Sequence, residues 1–333
     1  MTDSILFFGD LSSKWTRSSA RLDALKTALP DVQIDTRNWN PTSWPGRFML
    51  KAYFKSQLPL LAPIYLLMTK KIDPKSLIWV DNFPLFPNLF LRVFKFYLPE
   101  VKIIFISEDN FLLKHNHARL HRPILPFYDQ IFTTKRYVCE NTGGQFTVQK
   151  IFDSFDERLI SEDHEYQTGY KFDVCFIGSF EIARFNHLCY LSRNGIQISI
   201  FGNGWPKKTP ANMTVYGPVY GPEFRKTAHR SRINLIFLRH QNFDEVTSRS
   251  YEIPAFNVFF LAEKSSVHKQ LYGVSGILFT SRETLLERVN YWLKKSDEER
   301  NKLSQKISNK ISVPRNTIRH QVLSILAQTN LEK

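Results

Sequence analysis

Cysteine is scarce in these 333 residues. Cys139, Cys175 and Cys189 are the whole complement, too few for a disulfide framework and without metal-ligand spacing. That usage fits a reducing compartment, and the cytoplasm is the expected location. No run of the roughly 20 apolar residues that a spanning helix needs is present. The longest mostly apolar run without charge, SQLPLLAPIYLLMT between Lys55 and Lys70, is shorter and carries two prolines. The N-terminal MTDSILFFGDLSSKW has no basic leader and reads as a first strand rather than a signal peptide. Acidic residues are outnumbered, 31 against 45 basic, and the formal net charge of +14 favours an anionic partner. Charge alone leaves a nucleotide, a lipid surface, an acidic glycan and a nucleic acid all open. The first strand lacks the G-x-G-x-x-G fingerprint and no Walker A sequence occurs, which argues against nicotinamide, flavin and P-loop chemistry. Internal repeats and low-complexity tracts are absent as well.

What the chain does contain is apolar material, with 43% hydrophobic and 14% aromatic residues, enough for packed cores in two lobes. Short β-branched or aromatic runs, SILFFG, VQIDTR, SLIWVDN, KIIFISEDN and QIFTTKR, alternate with helical-looking segments in the first half. A polar stretch, DSFDERLISEDHEYQTGYK, has neither strand nor helix periodicity and marks a boundary. The second half alternates again, with DVCFIGSF, ISIFGNGW, INLIFLRH, NVFFLAE and GILFTS as strands. Strands separated by helices imply parallel sheets with right-handed crossovers. The expected fold class is α/β: two Rossmann-like lobes facing a cleft, residues 1–152 and 173–333, joined by a linker at 153–172. The closing segment, RNTIRHQVLSILAQ, reads as an amphipathic helix able to pack back on the first lobe. Around residues 45–98, Phe and Leu mix with Arg47, Lys51, Lys55, Lys70 and Lys71. This is either a membrane-surface patch or a core helix with solvated lysines at its ends.

In open parallel sheets ligands bind beyond the carboxyl ends of the strands. The residues there are Asp10, after Gly9; Asp109, after Glu108; Gly178 and Ser179; and Gly202, before Asn203 and Gly204. Each glycine serves either a phosphate or merely a tight turn. In DEVTSRSYEIPAFNVFFLAE, Thr247 and Ser248 are placed to cap a helix whose first turn contains Arg249. A cation there opposes the dipole unless an anion lies in front of it. Glu252 sits three residues on, and either it answers ligand hydroxyls or the two pair on a solvated face.

The segment TSRSYEIPAFNVFFLAE, followed by LLERVNYWLKKSDEERNKLSQKI, resembles the C-terminal lobe of the spore-maturation-protein-B-like (CgeB-like) glycosyltransferases, relatives of the group 1 enzymes with the GT-B fold. Thr247, Arg249, Glu252, Ile253, Pro254, Ala255, Leu261, Ala262 and Glu263 carry the resemblance, which covers roughly residues 173–325; LPFYDQIFTTKRY looks like the group's stretch closing the first lobe. It implies a transferase that holds a nucleotide-diphosphate sugar in the second lobe and a glycan or lipid-linked acceptor in the first. Group 1 enzymes carry two glutamates separated by seven residues. Glu252 matches the second, Asp244 stands where the first would be, and Phe256, Asn257 and Val258 replace residues expected to be small. Gly178, Ser179, Arg249 and Arg239 would face the diphosphate, while Asp10 or Asp109 would supply a base for an inverting reaction. The sequence contains no D-x-D, and no metal is expected. Three functions are weighed: cell-surface or spore glycan synthesis at the inner membrane face, glycosylation of nucleic acid, and non-catalytic glycan or nucleotide binding.

Overall fold

The computed structural model describes residues 4–40, 43–56, 76–82, 88–116, 118–142, 144, 146–160 and 169–329. The apolar run between Lys55 and Lys70, with Lys70 and Lys71, lies outside the described residues. The chain divides into two compact units, one of residues 1–152 with 318–333 and one of residues 153–317.

The first unit holds β1 (Ser4–Gly9), α1 (Arg17–Ala28), β2 (Gln33–Asn38), α2 (Trp44–Ser56), β3 (Leu77–Asp81), α3 (Asn88–Tyr97), β4 (Lys102–Ser107), α4 (Ala118–His121), β5 (Gln130–Thr133), α5 (Arg136–Asn141) and β6 (Val148–Lys150). Its strands form one parallel sheet in the order β2-β1-β3-β4-β5-β6, with Phe7 opposite Trp79 and Trp79 opposite Ile104. Central strands bury both faces, which is why SILFFG and LIWVD read as continuous apolar runs instead of alternating ones. Leu6, Phe8, Ile78 and Val80 face one core with Leu91 and Phe94 of α3. Ile5, Phe7, Leu77 and Trp79 face the other with α1 and with Ile318, Val322 and Ile325 of the last helix, α12 (Ile318–Gln328). The steps β2 to β3 and β3 to β4 run the same way across the sheet, so right-handed crossovers place α2 and α3 on one face and α1 on the opposite one.

The second unit holds β7 (Phe172–Ile177), α6 (Ile182–Arg193), β8 (Ile198–Phe201), β9 (Met213–Tyr216), α7 (Gly221–His229), β10 (Ser231–Ile236), α8 (Arg249–Ala255), β11 (Phe260–Glu263), α9 (Ser266–Tyr272), β12 (Leu278–Phe279), α10 (Arg282–Leu293) and α11 (Asp297–Ile311). Its parallel sheet runs β12-β11-β10-β7-β8-β9. The α/β expectation of two parallel-sheet units therefore stands. Each sheet gains a sixth strand that the sequence reading omits, β6 or β9, both at an edge and both short. Part of the stretch read as a linker is packed structure. Asp153, Ser154, Phe155 and Asp156 are buried, Phe155 bridges Thr317, and Arg225 donates to the Leu159 and Ile160 carbonyls. No described helix is long and apolar enough to cross a membrane.

Candidate functional site

At the carboxyl end of β7 the chain turns through Gly178 and Ser179 into α6. The Gly178 N–H donates to the Phe201 carbonyl at 2.9 Å, and Trp205 Nε1 donates to the Gly178 carbonyl at 2.9 Å. Gly202 belongs to this strapping: a Cβ there would lie 2.0 Å from the Gly178 carbonyl oxygen, so the residue is glycine because two backbones touch. The close approach fixes the loop on which Gly178 and Ser179 sit.

One turn into α6 lies Arg184, which sequence reasoning missed. Its side chain is 8% exposed. Nη1 donates to the Ser179 carbonyl at 3.2 Å, Nε stands 3.5 Å from the Glu181 carboxylate, and the guanidinium lies 5.6 Å from the Phe176 ring centre. Among the described residues Nε has no hydrogen-bond partner. Burial pulls the Arg184 pKa down, Glu181 pushes it back up and Arg239 lowers it again, with Asp244 and Glu263 contributing on the raising side. Arginine stays charged regardless, so a cation is held almost out of water. A signal was available: Arg184, Leu188 and Leu191 recur at the spacing of one helix face, and the two leucines are fully buried.

Arg249 approaches the same place from α8. Its Nε points at the Ile177 carbonyl at 3.4 Å, its guanidinium lies 4.0 Å from the Phe224 ring centre, and it pairs with the Glu252 carboxylate. Glu252 is buried, so the pair exists but not on a solvated face. The expected caps are not made. Ser248 has φ −55° and ψ −37°, inside the helical region, where its hydroxyl cannot reach back to the first turn; no side-chain cap bond forms. Thr247 instead turns toward Ser250, its N–H donating to Ser250 Oγ at 3.1 Å, and Ser250 Oγ meets His268 Nε2 at 2.7 Å. With seven residues, α8 has little macrodipole to offer. Any anion here must be held chiefly by side chains.

Gly178, Ser179, Arg184, Arg239, Thr247 and Arg249 line one pocket of about 360 Å³, which Ser248 also borders. Three guanidinium groups converge there, with Glu181 and Glu252 as the near carboxylates. Asp244 is half-buried on the neighbouring loop, its carboxylate accepting from Asn242 Nδ2 at 2.9 Å and its N–H donating to the Arg239 carbonyl at 3.3 Å. Phe256 and Asn257, which replace expected small residues, have local reasons. Phe256 is buried against Phe224, the ring beneath Arg249, at 5.0 Å. Asn257 has φ +57°, the left-handed conformation that ends α8 and that glycine otherwise supplies.

In the first unit, Asp10 and Asp109 follow β1 and β4. The Asp10 carboxylate accepts from the Ser12 N–H at 3.1 Å, the Ser12 hydroxyl at 2.6 Å and Asn40 Nδ2 at 3.2 Å, which makes it a turn-former. Asp109 is tied to Ser107, whose hydroxyl lies 3.2 Å from the Asp109 N–H. Beside it runs a buried network unforeseen from sequence. Arg21 pairs with Asp81 at 3.0 Å and with Glu108, which Arg17 meets at 2.6 Å; Ser18 donates to Asp81 at 2.9 Å and Arg21 Nε to Gln321 Oε1 at 3.0 Å. Burial raises the Glu108 pKa, but Arg17 and Arg21, with help from Lys135, outweigh it and hold the carboxyl at about 2. Among the described residues no three His, Cys, Asp or Glu side chains group as metal ligands.

Residues 185–327 match the model of a family described as glycosyl transferase-like. A search of the curated proteins finds no match. Among solved structures, the chain superposes on the E. coli trehalose-6-phosphate protein bound with UDP-2-fluoro glucose with a TM-score of 0.66 at 13% identity, covering 99% of each chain. It superposes on a UDP-forming α,α-trehalose-phosphate synthase from Burkholderia xenovorans with a TM-score of 0.65 at 11% identity, over 100% of this chain and 99% of the other. For S. aureus MnaA with UDP the TM-score is 0.57 at 11% identity, over 99% and 97%. The chain thus has the two-unit α/β fold of the GT-B glycosyltransferases, and its residues 185–327 are similar to the glycosyl transferase-like family.

Proposed function

We propose that the protein is a glycosyltransferase of the spore-maturation-protein-B-like group. It takes the sugar of a nucleotide-diphosphate donor held in the pocket of the second unit and transfers it to a glycan or lipid-linked acceptor. The observation that carries this reading is the set of three arginines around the Gly178 loop, one of them buried with an unpartnered Nε. A buried guanidinium with an idle donor needs an acceptor, and a diphosphate brings charge and oxygen atoms together. Arg184, Arg239 and Arg249 would neutralise the charge that develops on the departing nucleoside diphosphate, and the Gly178 to Ser179 backbone would line its path. Glu252 holds Arg249 in place and is available to donor hydroxyls when Arg249 turns to phosphate. Asp244 would lie nearer the sugar, and Asp10 or Asp109 would serve as the acceptor-side base. The acceptor reading places the enzyme in bacterial cell-surface or spore glycan synthesis, in the cytoplasm at the inner face of the membrane. The ligands named with the structural neighbours, UDP and UDP-2-fluoro glucose, make uridine the first base to try.

The test is thermal stabilisation of the purified chain by nucleoside diphosphates and their sugars, with and without EDTA, since a ligand that binds only the folded state raises the midpoint. One nucleotide is expected to raise it, EDTA is expected to leave the shift unchanged because arginines supply the charge, and Arg249→Ala is expected to abolish it. Folded protein that responds to none of the nucleotides ends the donor reading.

A further inference from the structure

His268 on α9 is fully buried, as is Ser250 on α8, and both nitrogens of the ring are engaged. Nδ1 lies 2.6 Å from the Glu263 carbonyl and Nε2 lies 2.7 Å from Ser250 Oγ. Tyr272, stacked on the ring at 5.2 Å, donates its hydroxyl to the Ser250 carbonyl at 3.0 Å. The loop that meets α9 is braced a second time by Ser265, whose hydroxyl donates to the Glu245 carbonyl at 2.6 Å and accepts the His268 N–H at 3.0 Å. Donor binding gives these buried polar groups no direct task. They reach the pocket through one residue: Ser250 Oγ is the partner of Thr247, and Thr247 lines the pocket.

Counting protons assigns every bond in this relay. A carbonyl oxygen only accepts, so the proton between Glu263 and His268 sits on Nδ1. Burial favours the uncharged ring, against the pull of the Glu263 carbonyl and the Glu263 charge. An uncharged ring with its proton on Nδ1 has a bare Nε2, and the Ser250 hydroxyl must donate to it. Having used its one proton, Ser250 Oγ can only accept, with two lone pairs. One takes the Thr247 N–H at 3.1 Å and the other takes the Thr247 hydroxyl at 3.3 Å. Thr247 Oγ1 makes no other bond among the described residues, so its lone pairs are left to the pocket. A phosphate oxygen placed against them would meet acceptor with acceptor, whereas a ligand hydroxyl would find a partner. The guanidinium groups lining the same pocket have the opposite preference, because they only donate.

We propose that His268 is a positioning residue that, through Ser250, makes Thr247 a hydrogen-bond acceptor for a hydroxyl of the bound nucleotide sugar and turns it away from the phosphates. This role rests on the donor pocket proposed above. His268 itself touches no ligand.

The experiment is titration calorimetry of the full chain against two probes, UDP-glucose, which carries hydroxyls, and inorganic diphosphate, which carries none. Thr247→Val keeps the shape of the side chain and removes its oxygen; it is expected to weaken UDP-glucose about five- to tenfold and inorganic diphosphate less than about twofold. His268→Leu takes the acceptor from Ser250 and lets the hydroxyl turn toward Thr247, and the same split is expected. His268→Gln, whose amide oxygen can stand in for Nε2, is expected to recover most of the loss. Thr247→Val combined with His268→Leu is expected to lose no more than either alone, because both act on one contact. Nitrogen-15 spectra of the ligand-free chain, with the His268 signals identified by their absence from the glutamine variant, are expected to show a protonated Nδ1 and a bare Nε2 at neutral pH. In a chain that binds both probes, equal weakening of the two, unchanged UDP-glucose binding by Thr247→Val, or a proton on Nε2 overturns this proposal alone. A parent chain that binds neither probe overturns the ligand contact together with the donor reading.

Discussion

Arg184 occupies a position where a cation is costly: one turn into a helix, nearly dry, facing a carboxylate at 3.5 Å that it does not fully engage. Such a group is explained by what completes its hydrogen bonds. If that is the donor diphosphate, Arg184→Met keeps the bulk and removes the charge, and affinity for a nucleoside diphosphate falls roughly ten- to a hundredfold, the worth of one hydrogen bond to a charged group. Affinity for the nucleoside alone changes little, and Arg184→Lys recovers part of the loss. Titration calorimetry with both ligands on the three proteins settles it, and equal losses for both ligands would mean that Arg184 only props the loop. Sequence reading reached Arg249 and Glu252 through a motif, yet left open whether they pair. The fold answers with the pair itself, made by a buried Glu252 and an Arg249 that lies over Phe224, a ring brought against Phe256 only by folding. Arg184 lay in plain view on the buried stripe of α6 but belongs to no motif quoted from the sequence.

At the scale of elements, α8 ends where a helix must reverse, and the reversal falls on Asn257 at φ +57°. The sequence pattern expects a small residue here, and asparagine meets the backbone demand while adding a bond from its Nδ2 to Gln305 Oε1 at 2.7 Å on α11. Asn257→Gly is accordingly expected to change stability by less than about 1 kcal/mol, whereas Asn257→Val costs about 1–2 kcal/mol or more, the steric penalty of a left-handed residue with a branched Cβ. Denaturant midpoints of the two variants check this, and equal midpoints would show that the turn relaxes freely. Continuous apolar runs such as β1 and β4, and a long helix such as α10, were legible in advance. The strands that were missed, β6 and β9, are three and four residues long, and what makes them strands is a neighbour to pair with rather than any pattern of their own. The caps of α8 failed for a related reason: Thr247 and Ser248 have the right chemistry, but Ser250 and His268 determine which way the loop runs.

Over the whole molecule the two units carry acid sensitivity in different pH windows. Burial, reinforced by Arg225, drops the His229 pKa from the usual 6.5 to about 4. His268 also lies below its ordinary value because of burial, partly offset by its bond to the Glu263 carbonyl and the Glu263 charge. Below 6.5 the unfolded chain binds these protons and the folded second unit does not, so stability present above that pH is lost as pH falls toward about 4. Glu108 works lower down: its carboxyl is held at about 2 against an ordinary 4.5, so the stabilisation it gives the first unit is present above 4.5 and is lost as pH falls through about 2. The second unit is therefore expected to open first on acidification. The chain makes this separable, because it enters the second unit at Asp153 and returns at Ile318, leaving two compact cores with distinct strands. Pulsed hydrogen exchange after incubation between pH 7 and pH 2, read on β7 to β12 against β1 to β6, is expected to show protection lost first from the second sheet. His229→Gln is expected to move that first loss to lower pH and leave the first sheet where it was. Earlier loss from the first sheet would mean that the Arg17, Arg21 and Glu108 network is weaker than its burial and short contacts indicate, and that the histidines do not set the acid limit.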